Sequence, residues 1–210
     1  MRWLVLFVAI AGMVRADGEH AGTFDYYVLS LSWSPTWCAL EGDARHSPQC
    51  AKGAGFGWVV HGFWPQYESG WPSWCPTEER NPNRKETAAE ADLFGTSGNA
   101  WYQWRKHGVC SGLSSGNYYR RARQAWETLN IPAVFRRLNH AVELPPKIIE
   151  DAFLEVNPTM VPGGITVTCQ AGRIDEVRIC LTRGLEPRAC GPDTDRDCML
   201  KDALLDPTGN

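Results

Sequence analysis

Polar and apolar positions along the chain mark a small set of elements. Tyr26-Tyr27-Val28-Leu29-Ser30-Leu31-Ser32-Trp33 alternates with the two-residue period of a half-buried strand. Phe56-Gly57-Trp58-Val59-Val60-His61 is a short apolar run set among glycines, which predicts a central strand. Trp101-Tyr102-Gln103-Trp104-Arg105-Lys106-His107 has helical spacing, and Gly108 is placed to end that helix. Residues 117–129 predict a second helix, and Pro132 and Pro145 suit the first turns of two more. Asn157-Pro158 stops the last of these. Ile165-Thr166-Val167-Thr168 and residues 173–181 predict a closing pair of strands. Strands and helices do not strictly alternate, so the class is α+β. With no internal repeat, low-complexity tract or long linker, residues 17–210 are expected to form one domain.

The first 16 residues stand outside that pattern. Arg2 precedes an apolar run from Trp3 to Val14, and Val14-Arg15-Ala16 offers small residues where a signal peptidase reads. This predicts a signal peptide over residues 1–16. The run is too short for the roughly 20 residues of a spanning helix, so no membrane association is expected after cleavage. The leader carries Arg2 and Arg15 and no acid, so its loss leaves 19 Lys and Arg against 24 Asp and Glu, a formal charge of −5. Such a balance argues against a general polyanion binder, yet the charge is uneven. Residues 101–140 hold Arg105, Lys106, Arg120, Arg121, Arg123, Arg136 and Arg137 with Glu127 as the one acid, a local field able to hold a polyanion. All eight cysteines lie beyond the leader: Cys38, Cys50, Cys75, Cys110, Cys169, Cys180, Cys190 and Cys198. An even count in an exported chain reads as four disulfides. No Cys-x-x-Cys occurs and the histidines are scattered, which argues against a metal site. The expected location is the periplasm or the extracellular space.

Two segments have the residues for catalysis. His61 ends an apolar strand and is followed by Gly62-Phe63-Trp64-Pro65-Gln66, where a rigid element would meet a cleft; Trp-Pro continues neither a central strand nor a helix interior. On the later helix Gln103, Lys106 and His107 stand at i, i+3 and i+4, on one face. Trp101 and Trp104 fall on the neighbouring face and should anchor the helix. An amide, an ammonium and an imidazole together suit a phosphate passing through extra negative charge. Either histidine alone is more readily explained as structural. As a pair they suggest RNA cleavage, since RNA carries its own nucleophile in the 2′-hydroxyl and needs one base and one acid. Lys106 would stabilise the charge on the phosphorane. This chemistry needs no metal and no cofactor. Trp64, Tyr67, Trp71 and Trp74 follow the first histidine and offer stacking surfaces for unpaired bases. His20, His46 and His140 have polar surroundings and read as surface residues.

His61-Gly62-Phe63-Trp64-Pro65 resembles the first active-site motif of the ribonuclease T2 family, usually His-Gly-Leu-Trp-Pro. Trp104-Arg105-Lys106-His107-Gly108-Val109-Cys110 resembles the second, usually His-Glu-Trp-x-Lys-His-Gly-Thr-Cys. Leu31-Ser32-Trp33-Ser34-Pro35 before Cys38, Cys50 after it, and the cysteine-rich stretch from Cys169 to Cys198 are also similar to that family. The Ser34-Pro35 step and Cys110-Ser111-Gly112-Leu113 resemble its bacterial branch. The resemblance implies an antiparallel sheet packed against helices and disulfides Cys38–Cys50, Cys75–Cys110, Cys169–Cys198 and Cys180–Cys190. It implies His107 as the base for the 2′-hydroxyl and His61 as the acid for the leaving oxygen. Lys106 would stabilise the transition state, and Trp64, Gln66, Tyr67 and Tyr102 would contact substrate. The products would be a 2′,3′-cyclic phosphate and then a 3′-phosphate. RNA, not DNA, is the implied substrate, and a monomer is expected.

Two positions depart from the usual motif: Tyr102-Gln103 stands where His-Glu is common. Tyrosine can still donate to a phosphate. Glutamine cannot take a proton, but its amide can donate, so Gln103 is counted with the catalytic group. The departure leaves open a binding protein of the same fold that has lost turnover. An exported Cys–His hydrolase is the other alternative, and it requires a free thiol.

Overall fold

The computed structural model describes residues 19–208; the signal peptide expected over residues 1–16 lies outside them. Six strands form one sheet: β1 Tyr26–Trp33, β2 Trp58–Gln66, β3 Val142–Leu144, β4 Ile165–Gln170, β5 Arg173–Thr182 and β6 Ala203–Leu205. The order is β2-β1-β5-β6-β3, with β4 also paired to β5. Every pairing is antiparallel except a single parallel bridge, Arg173 to Leu204, between β5 and β6. The sheet is therefore mixed at that one point. Six α-helices accompany it: α1 Ser34–Trp37, α2 Arg84–Ala88, α3 Ala91–Phe94, α4 Ser97–Lys106, α5 Ser115–Glu127 and α6 Pro146–Val156. Among the described residues no helix is long and apolar enough to cross a membrane.

The alternation in β1 sorts the two faces of the sheet. Leu29 and Leu31 sit across from Phe63 and Val60 of β2 and from Ile179 and Val177 of β5. These side chains join one core with Trp104 of α4, Tyr118, Ala122 and Ala125 of α5, and Ile149 and Phe153 of α6. Burying each large apolar side chain contributes about 1.5–3 kcal/mol, so this face holds the fold together. Tyr118 and Tyr119 keep their hydroxyls satisfied inside it by donating to the carbonyls of Phe63 and Ala100, both at 2.9 Å. The opposite face carries Val28, Ser30 and Ser32 of β1, Trp64 of β2, and Glu176 and Arg178 of β5. Val28, Ser30 and Glu176 are buried on this more polar face too, so β1 is covered on both sides and not half-buried as expected, and the candidate site lies on this face.

Several expected elements differ in detail. The run ending at His61 continues to Gln66 and is an edge strand, not a central one. Pro65 is tolerated there because an edge strand has one row of N–H groups with no ladder partner. Pro132 precedes a short 3-10 stretch, Ala133–Arg137, instead of an α-helix, whereas Pro146 occupies the first turn of α6 with Pro145 as its cap. Asn157 ends α6 as expected. Gly108 does not end α4 through a left-handed turn. It opens a 3-10 stretch, Gly108–Ser111, and the left-handed residue is Gly112, with φ 72°. Gly108 is required for space, since a Cβ there would lie 2.6 Å from the Trp104 ring.

The four disulfides are Cys38–Cys50, Cys75–Cys110, Cys169–Cys198 and Cys180–Cys190. No free cysteine remains, so the Cys–His hydrolase has no thiol to use.

Candidate active site

The position of His61 comes from a fault in the β1–β2 ladder. Ser30 pairs with Gly62 but Leu31 pairs with Val60, so His61 is an extra residue, a β-bulge. Without it, strict alternation would place His61 and Trp64 on opposite faces. With it, Val60 and Phe63 both enter the core while His61 and Trp64 share the open face. The His61 and Trp64 rings meet edge to face, with centroids 5.3 Å apart.

α4 brings the second group. Thr96 caps it by accepting the Asn99 N–H at 3.0 Å. Its buried side is Ala100, Gln103, Trp104, with His107 following at the C-cap. The His107 ring centroid lies 5.3 Å from that of Trp64. Both imidazoles therefore lie against the Trp64 ring. Trp104 anchors the helix as expected, but Trp101 does not: it is 45% exposed, with Arg105 against its ring. One helical step beyond Ala100, it has turned out of the core.

Gln103 is buried, and its amide is held at both ends. The indole N–H of Trp64 donates to Oε1 at 2.8 Å, and Nε2 donates to Asn99 Oδ1 at 3.3 Å. An indole nitrogen only donates, which fixes the amide's orientation. Asn99 in turn donates to the carbonyls of His61 and Phe94 at 3.2 and 3.1 Å. A Cβ at Gly62 would fall 1.8 Å from the indole nitrogen and 2.5 Å from Gln103 Oε1, so this contact requires glycine there.

The two imidazoles have different surroundings. His107 is buried, and its Nδ1 has no hydrogen-bond partner among the described residues. Burial first, then the charges of Lys106 and His61, push it down to about 3. It is neutral, with a lone pair available. His61 is more open, and its Nδ1 bonds the carboxylate of Glu176. Glu176 also accepts two bonds from Arg178, at 2.8 and 2.6 Å. Burial raises the Glu176 carboxyl, but the bond and charge of His61, followed by Arg178, outweigh it and hold the group down at about 2. Its neighbour Asp175 goes the other way, up to about 6, through burial and then the Glu176 charge.

The groups line two cavities. One, of about 320 Å³, is bounded by His61, Trp64, Gln66, Lys106, His107 and Arg178, with Trp71 and Thr194 at its side. The other, of about 620 Å³, runs past Trp37, Gln49, Asn99 and Asp175. His61, Tyr102 and Gln103 border both. Of the anticipated residues, His61, Trp64, Gln66, Tyr102, Gln103, Lys106 and His107 converge here. Lys106 Nζ lies 5.8 Å from the Tyr102 ring centroid. Tyr67 does not line either cavity. It packs against the core, and Trp71 from the same loop takes the place at the cleft. His20, His46 and His140 are exposed, and His46 borders the larger cavity.

A sequence model of the ribonuclease T2 family matches residues 24–190. The chain belongs to the ribonuclease T2 family. A ribonuclease of Aeromonas hydrophila is 43% identical over 109 residues, covering 52% of this chain and 47% of that protein. A probable ribonuclease of Haemophilus influenzae is 33% identical over 130 residues, covering 55% and 47%. These two relatives support the bacterial branch of the family. The chain spans about half the length of these curated relatives. Among solved structures, an RNase-related protein from Calystegia sepium aligns over 89% of this chain and 98% of its own, with TM-score 0.70 and 20% identity. Trichomaglin, described as a novel S-like ribonuclease, aligns over 90% and 100%, with TM-score 0.67 and 18% identity. Both share the ribonuclease T2 fold.

Glu176, Arg178 and Asn99 escaped the sequence reading. The first two left a signal: Glu176 and Arg178 are opposite charges two residues apart, alternating with Val177, Ile179 and Leu181. A charged pair on one face of an otherwise buried strand has to meet a partner.

Proposed function

We propose that this protein is an exported endoribonuclease that cleaves single-stranded RNA by attack of the substrate's own 2′-hydroxyl. The observation that carries this reading is the pair of imidazoles in unlike surroundings, both against Trp64, with Lys106 beside them. His107, kept neutral by burial, takes the 2′-hydroxyl proton. O2′ bonds to phosphorus, and the P–O5′ bond breaks as His61 protonates the departing oxygen. Lys106 stabilises the phosphorane, whose extra charge develops only in the transition state. Trp64 supplies a face for one base. The 2′,3′-cyclic phosphate is then opened by water to a 3′-phosphate. Export rests on the leader and on four disulfides, which need an oxidising compartment.

The test is product analysis of a dinucleotide digest. A cyclic phosphate should appear first and a 3′-phosphate later. DNA and 2′-O-methyl RNA should resist, and chelators should leave the rate unchanged. Loss of activity in EDTA with recovery in a divalent ion would replace this reading by a metal mechanism. Binding of RNA with no product at any time would replace it by a binding protein of the same fold.

Gln103 enters this reading differently from its counterpart in the usual motif. With its oxygen on the Trp64 indole and its amide nitrogen on Asn99, its main task is to hold the base-stacking ring beside the histidines. Gln103→Ala should raise KM and lower kcat, with kcat/KM falling by up to about tenfold in all, since one neutral hydrogen bond is worth about 0.5–1.5 kcal/mol. Gln103→Glu keeps the acceptor for the indole and should lose less than the alanine variant. Steady-state kinetics on one dinucleotide, with tryptophan fluorescence as a monitor of Trp64, checks both. An unchanged KM in Gln103→Ala would show that Trp64 needs no such support.

A further inference from the structure

The open face of the sheet carries a charged row that the reaction above does not use. Glu176 and Arg178 on β5 sit opposite Ser32 and Ser30 on β1, and those serines sit opposite Val59 and Gly62 on β2. His61 bulges out between these last two positions. The intervening strand therefore offers only two serine side chains in that row, and the His61 ring can lie across it to reach a carboxylate two strands away. Each oxygen of Glu176 is engaged: Oε1 with His61 Nδ1, Oε2 with Nε and Nη2 of Arg178. Glu176 is 4% exposed. A buried carboxylate left without partners would be costly, so the carboxylate, the guanidinium and the imidazole hold each other in register.

We propose that Glu176 is a positioning residue, which fixes the His61 ring with its proton on Nδ1 and leaves Nε2 as the nitrogen presented to the cleft. The chemistry follows from donor and acceptor counting. An ionised carboxylate only accepts, so the nitrogen bonded to it carries a hydrogen in both the neutral ring and the imidazolium. When His61 gives its Nε2 proton to the leaving O5′, the Nδ1 proton stays on the ring, and the neutral product is a single tautomer. That ring has its Nε2 lone pair in place to take a proton from the water that opens the cyclic phosphate. Other charged or titratable groups face His61: Arg178 and Asp175 from β5, and Lys106 and the neutral His107 from the α4 end. Of these, none but Glu176 bonds a ring nitrogen of His61 among the described residues. The catalytic half of this inference rests on the functional reading above; the tautomer does not.

Two measurements decide it. Nitrogen-15 spectra of the imidazoles at a pH where His61 is neutral should show one tautomer, protonated at Nδ1. A wild-type ring protonated at Nε2 would overturn the proposal whether or not any variant folds. Glu176→Gln can either accept from or donate to Nδ1, so its spectrum should show loss of the single tautomer. Its kcat should fall by up to about 10⁴-fold with KM within about threefold, as when the carboxylate behind a catalytic imidazole becomes an amide. Glu176→Asp, which restores the charge on a shorter arm, should recover part of kcat. An active wild type with an equally active Glu176→Gln would overturn this inference alone. A wild type that cleaves no RNA would overturn the functional reading and the catalytic role of Glu176 with it.

Discussion

Replacing either histidine, His61→Phe or His107→Phe, is expected to lower kcat by about 10²–10⁴-fold while leaving the fold in place. The double variant should be little worse than either single one, because a base and an acid acting in one step fail together. Near wild-type turnover in either single variant would sink the pairing. The two substitutions should separate in their effect on stability. His107 is pushed down to about 3 in the folded protein, against roughly 6.5 in the unfolded chain. Below 6.5 the unfolded state takes up a proton that the folded state refuses. Stability should therefore fall as pH drops from about 6.5 toward 3, by roughly 4–5 kcal/mol in total at 1.36 kcal/mol per unit. His107→Phe removes that contribution. Glu176 adds a loss of the same sign lower down, between about 4.5 and 2, as its folded-state bonds to His61 and Arg178 are protonated away. Asp175, raised to about 6, works in the opposite sense and offsets part of the slope. Urea unfolding at a series of pH values, for wild type and both variants, measures this. An acid slope in His107→Phe as steep as that of wild type would show that His107 is not the group responsible.

Loss of the Cys75–Cys110 bridge should be the most damaging of the disulfide removals for activity. The bridge closes a loop with a sequence separation of 35, worth about 4 kcal/mol in chain entropy. Its position matters as much as its length. Cys110 follows His107 by three residues, and Cys75 ends the loop that carries Trp71 to the cleft. The Trp74 N–H donates to the Lys106 carbonyl at 2.8 Å, and the Cys75 N–H points to the Cys110 sulfur. Removing the bridge frees this loop from the helix end that bears Lys106 and His107. Cys75→Ala with Cys110→Ala should therefore lose activity at temperatures where the fold persists. Cys180–Cys190, with a separation of 10 and a place outside the catalytic helix, serves as the control. Equal losses of activity from both bridges, at matched stability, would reduce Cys75–Cys110 to a staple of the fold.

Much of this site was legible before any fold was known, for reasons that can be named. The alternation in β1 survives intact because one face of that strand is core throughout. Lys106 and His107 are adjacent in sequence, and Gln103 lies one helical turn earlier, so local geometry alone brought them together. That the eight cysteines form four disulfides followed from their even count. The disulfide pairing and the assignment of roles came by resemblance to a family.

What local periodicity could not supply was set by contacts between distant segments. Strand period places His61 and Trp64 on opposite faces, and only the bulge against Ser30 unites them. A bulge is a property of two paired strands, not of either one. The same holds for Glu176, which reaches His61 across 115 residues of chain because β5, β1 and β2 lie side by side. Trp101 has the residue type of an anchor, yet packing left it outside, since Ala100, Gln103 and Trp104 form the side that the sheet accepts. The hold of the Trp64 indole on the Gln103 oxygen was likewise invisible in sequence, since the two residues lie 39 positions apart. Residue types and local spacing determine which chemistry the chain carries. The pairing of strands determines which of those groups meet, because hydrogen-bond register between distant segments is encoded in no single stretch of sequence.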